Sequence, residues 1–86
     1  MFVTVKQLAQ RIDNEIYLIG INIEVLEGKL DNPNGYSREY ILEFINKQVK
    51  TVYNLVDELE RISANKKLIA QYRVKAKEVG KRFSEI

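Results

Sequence analysis

Apolar residues recur through the first thirty positions in steps of three and four: Val5, Leu8, Ile12, Ile16, Ile19, Ile23, Leu26 and Leu30. That spacing sets them on one stripe, and it predicts a helix over about residues 3–30, about 42 Å long at 1.5 Å per residue. A second apolar set, Leu18, Ile21 and Val25, lies nearly opposite. A helix packed on one side needs only one apolar face. Two faces over the C-terminal half put this helix either between neighbours of its own chain or against another subunit. Tyr17, Leu18, Ile21 and Val25 are therefore the candidate protein interface.

The same stretch carries a competing pattern. Every odd residue from Tyr17 to Val25 is apolar, with Gly20, Asn22 and Glu24 among the even ones, and the run is rich in β-branched residues. That is strand alternation. The helix is preferred because the stripe runs on at both ends and a lone strand has no partner in this chain. A strand pairing across a dimer is the alternative.

Asp31, Asn32, Pro33, Asn34 and Gly35 break the pattern, and each favours a turn for its own backbone reason. A second helix is expected over about 37–63, with Ser37 as N-cap and Glu39 in the first turn. Its apolar residues, from Ile41 and Leu42 through Phe44, Ile45, Val49, Val52, Tyr53, Leu55, Val56 and Leu59 to Ile62, cover about half the circumference. Near Ser63, Ala64 and Asn65 the stripe changes phase, and Lys66 stands where another apolar residue is due. A new stripe follows: Leu68, Ile69, Tyr72, Ala76, Val79, Phe83 and Ile86. Ile62, Ile69, Ala76 and Phe83 keep the seven-residue step of a coiled coil. Either a third helix spans about 66–85, or one long helix changes its packing partner; the break into three is preferred because it buries more surface within one chain. The expected fold is all-α: one domain over 1–86, a bundle of two to three helices made of a long hairpin and a basic amphipathic C-terminal helix, self-associating.

Composition sharpens the expectation of self-association. A chain of 86 residues builds a thin core, and scaffolds this small usually add disulfides, a metal or a second subunit. With no Cys and no His, disulfides and common zinc sites are excluded. The start of the chain, Met1 to Lys6, does not read as a secretory leader. Its most apolar run, Ile16 to Leu26, is shorter than the roughly 20 residues that span a bilayer. A cytoplasmic protein without a membrane span is expected.

The net charge of +2 hides a segregation. Residues 1–65 carry seven Lys/Arg against ten Asp/Glu, a net −3, whereas residues 66–86 carry seven against two, a net +5. On a helix, Lys66, Arg73, Lys77 and Lys81 share one arc beside the apolar stripe. Such an arc can be simply solvated, can dock an acidic protein, including another copy of the chain, or can neutralise phosphates.

Little points to catalysis. Thiol and Ser-His chemistry need residues the chain lacks. Ser37, Ser63 and Ser84 fall at a cap, a phase break and the chain end, poor places for a Ser-Lys dyad. Gly20, Gly28, Gly35 and Gly80 fit no phosphate-binding loop. Read as a calcium loop with Gly35 sixth, the turn puts Leu30 first and Ile41 twelfth, and both ligand positions fail. The carboxylates Glu24, Glu27, Asp57 and Glu60 sit at spacings normal for a solvated helix face. No catalytic residue, cofactor or metal ligand is nominated. The sequence is expected to encode a non-enzymatic helical interaction module (an adaptor, inhibitor or regulator), homodimeric, with a protein partner of acidic character. The alternative is a nucleic-acid accessory protein using the basic helix. Tyr17, Tyr36 and Tyr40 add large side chains of the kind favoured at interfaces, although core or turn packing is the commoner reason for such residues.

Overall fold

The structure, a computed structural model, describes residues 3–86; Met1 and Phe2, which begin the stretch read for a leader, lie outside the described residues. All regular structure among them is helical: α1 (Val5–Leu26), α2 (Arg38–Ile62) and α3 (Lys66–Ser84). The fold is a small all-α bundle. Tyr17 to Val25 lie inside α1, so the strand reading is excluded.

Each helix starts on a side-chain cap, and of the three Ser37 is the one expected from the sequence. Thr4 Oγ1 accepts from the Gln7 amide at 3.1 Å while Gln7 Oε1 accepts from the Thr4 amide at 3.0 Å, a reciprocal capping box. Ser37 caps α2 through the Tyr40 amide. Asn65 caps α3 through the Leu68 amide, and Ser63 and Asn65 together set the break that makes three helices rather than two. Between α1 and α2, Asn32 clasps Tyr36, accepting from its amide and donating to its carbonyl.

The end of α1 differs from the expected boundary near Leu30. Gly28 adopts φ +76°, its amide donates to the Val25 carbonyl at 3.1 Å, and Lys29 donates to Glu24 at 2.9 Å. This pair of bonds across a left-handed glycine stops the helix at Leu26. Leu30 consequently leaves the stripe and stands exposed in the connection.

Helix α2 is the common partner: α1 and α3 each pack mainly on it and touch each other least. The core joins Leu8, Ile12, Ile19 and Ile23 of α1 with Ile41, Ile45, Val49, Val52, Leu55, Val56 and Leu59 of α2 and Tyr72, Ala76 and Val79 of α3. Of the apolar residues read into α2, Phe44, Tyr53 and Ile62 depart from this set and are exposed. One side-chain pair crosses the α1–α2 seam, with Asn22 Nδ2 donating to Gln48 Oε1 at 3.0 Å. That bond satisfies the buried Gln48.

The bundle is elongated, 42 × 28 × 18 Å, with a radius of gyration of 14.1 Å where about 12 Å is usual for this length. It exposes 6214 Å², about 900 Å² more than the roughly 5,300 Å² expected for a monomer of 10.1 kDa.

Candidate functional site

The four residues expected at an interface all lie on α1, but they are not equivalent. Tyr17 is 68% exposed and Leu18 46%. Ile21 is half-buried and helps to line a shallow hollow with Ile16, Tyr17, Gly20, Glu24, Leu30 and Arg82. Val25 packs against the core of its own chain. The second apolar face is thus partly absorbed at Val25 and left open at Tyr17 and Leu18. Leu30, once released from α1 by Gly28, extends the open part rather than the buried stripe.

On α3 the four expected basic residues also divide. Arg73 is committed to α2: Nη1 lies 2.7 Å from Asp57 Oδ1, and Nη2 donates to Glu60 Oε2. Hydrogen bonds to Glu60 and to Asp57 push the guanidinium pKa above its ordinary value. Lys66, Lys77 and Lys81 are exposed, and among the described residues no carboxylate stands within 4.0 Å of them. Lys66 and the neighbouring Lys67 occupy the first turn of α3, which holds no acidic residue. Positive charge there opposes the helix dipole. Lys67→Glu is therefore expected to stabilise the fold by about 0.5 kcal/mol, read as a raised urea midpoint.

Periodicity gave no sign of the contact that straps α3 to α1. The Tyr72 hydroxyl donates to Asp13 Oδ2 at 2.8 Å, and Lys75 Nζ lies 3.2 Å from Asp13 Oδ1 and 4.7 Å from the Tyr72 ring centre. Asp13 and Tyr72 are 59 positions apart, and no local spacing relates them. Nearer the C-terminus, Arg82 reaches Glu27 at 3.7 Å.

Burial, the bond to Asp13 and the Asp13 charge together push the Tyr72 pKa up from 10.0 to about 12. The folded state therefore favours the protonated phenol more than the unfolded chain does. That contribution to stability is whole below pH 10 and disappears as pH rises to about 12. Tyr72→Phe is expected to cost about 1.5 kcal/mol at neutral pH. Urea titrations should also show the parent losing more stability than the variant between pH 10 and pH 12.

Tyr36 and Tyr40 stack at the start of α2 with centroids 4.8 Å apart, both about half exposed. Among the described residues, no group of three or more His, Cys, Asp or Glu side chains could hold a metal ion, and no helix is long and apolar enough to cross a membrane. The hollows on the surface are shallow and open. Comparison with protein-family models, with curated proteins and with solved structures gives no match.

Proposed function

We propose that the protein is a non-enzymatic helical interaction module, an adaptor, inhibitor or regulator, that pairs with a second copy of itself through the outward face of α1. The observation that carries this reading is the uncovered surface. Tyr17 and Leu18 stand exposed beside the half-buried Ile21 on one side of a single helix. The elongated chain as a whole also exposes about 900 Å² more than a typical monomer of its mass. A thin core without disulfides gains most from such a partner.

The contact is apolar, so it should resist salt. Light scattering at low and high ionic strength tests it: a dimer at both supports the reading, and a monomer at both overturns the self-pairing. The second reading, a nucleic-acid accessory protein using α3, is favoured by the unpaired Lys66, Lys67, Lys77 and Lys81. It is weakened because Arg73, Lys75 and Arg82 are engaged by carboxylates of their own chain.

A further inference from the structure

Lys66, Ala70, Arg73, Lys77 and Lys81 follow one another along α3 at steps of four, three, four and four. Those steps draw a single row on the helix surface, about 22 Å long at 1.5 Å per residue. Arg73, in its middle, is spent on Asp57 and Glu60. The three lysines are not, and so the row presents uncompensated positive charge to solvent.

At the Lys66 end the row opens on the corner where α2 turns into α3. A shallow hollow there is lined by Glu60, Ser63, Ala64, Lys66, Ile69 and Ala70. Its walls are mainly apolar, and the exposed Ile62 ends α2 in the same corner. Glu60 is the one carboxylate in the lining, and Arg73 already neutralises it.

From this juxtaposition we infer that the corner and the lysine row together dock an acidic amphipathic segment of a partner protein. One apolar side chain of that segment enters the hollow, and its carboxylates lie along Lys66, Lys77 and Lys81. The inference rests on the reading of the protein as an interaction module, though not on the α1 face. Charge complementarity selects an acidic occupant, and the hollow selects a peptide. A phosphate backbone neutralises lysines but has no use for a pocket of Ile69, Ala64 and Ala70. Carboxylates four residues apart on a helical partner are about 6 Å apart, the spacing of Lys77 and Lys81.

The test is fluorescence anisotropy with the full chain and a labelled peptide of Glu-Glu-Leu-Glu repeats. Polyglutamate of equal length, single-stranded DNA and duplex DNA serve as competing probes. The leucine-bearing peptide is expected to bind best, with affinity falling as salt rises. Replacing Lys66, Lys77 and Lys81 together by Gln should weaken it about tenfold, as loss of about 0.5 kcal/mol per exposed pair implies. Ala70→Glu, which fills the mouth of the hollow with a like charge, should also weaken it, while Ala70→Met should not. Both variants should keep the parent's molar mass and helical circular dichroism.

Absence of peptide binding at low salt overturns the inference. So does equal affinity for polyglutamate with Ala70→Glu silent, or tighter binding of either DNA. If the peptide fails while the dimer persists, the docking site is wrong and the interaction reading stands. If the peptide binds a monomer, the α1 pairing is wrong and the docking site stands.

Discussion

Leu59→Ala is expected to cost about 3–4 kcal/mol and to lower the melting temperature by about 15–25 °C. Leu59 is 0% exposed and belongs to the core, on the helix that both others pack against. The substitution removes buried methyl groups and leaves a cavity, and the better helix propensity of Ala recovers only a few tenths of a kcal/mol. Domains are stable by about 0.05–0.15 kcal/mol per residue, so this one has about 4–13 kcal/mol in all. A single core truncation thus removes between a quarter and nearly all of it. Phe44→Ala is the comparison. Phe44 is the larger side chain and belongs to the same apolar series in the sequence, but it is 47% exposed. Its truncation should cost under about 1 kcal/mol. Thermal melts followed by circular dichroism check both values, and equal costs would contradict the placement of the core.

Phe44 and Leu59 also mark where sequence reading stops. Steps of three and four locate a face on each helix, and they located it well. Leu8, Ile12, Ile19 and Ile23 are buried together, as are Ile45, Val52, Val56 and Leu59. The phase change at Lys66 gave the third helix. What a period cannot state is which neighbour covers a face, or how far that cover extends. Phe44 lies on the flank of its stripe, outside the buried cluster. The Asp13–Tyr72 strap is set by how α3 returns to α1, a tertiary consequence with no local spacing to announce it. The early stop of α1 was legible in principle, because a glycine just past a helix is the commonest left-handed cap, and Gly28 stands there. The apolar Leu30 masked it by extending the count by one more step. Within the candidate interface, Tyr17 and Leu18 are exposed. Val25 was not separable from them by pattern, since only packing reveals that it leans on its own core.

That separation decides how the α1 interface should be probed. Val25→Glu would injure the core and the interface together and so could not distinguish them. Ile21→Glu is cleaner, because Ile21 is half-buried in a surface hollow, yet it still carries some risk to folding. Leu18→Glu carries the least, because Leu18 is 46% exposed in the single chain. Burying that carboxylate in an apolar seam between two copies costs several kcal/mol unless a cation meets it, enough to shift the dissociation constant by two orders of magnitude or more. Leu18→Glu is therefore expected to halve the molar mass at micromolar concentration, with the helical circular dichroism unchanged. Ile21→Glu should do the same with a lower melting temperature. The parent dimer should keep its mass at high salt, where exposed ion pairs are screened. If Leu18→Glu remains a folded dimer, the two copies meet elsewhere. If the parent is itself a monomer, the open face of Tyr17 and Leu18 belongs to a different partner, and the same substitution then becomes the way to recognise that partner by its loss.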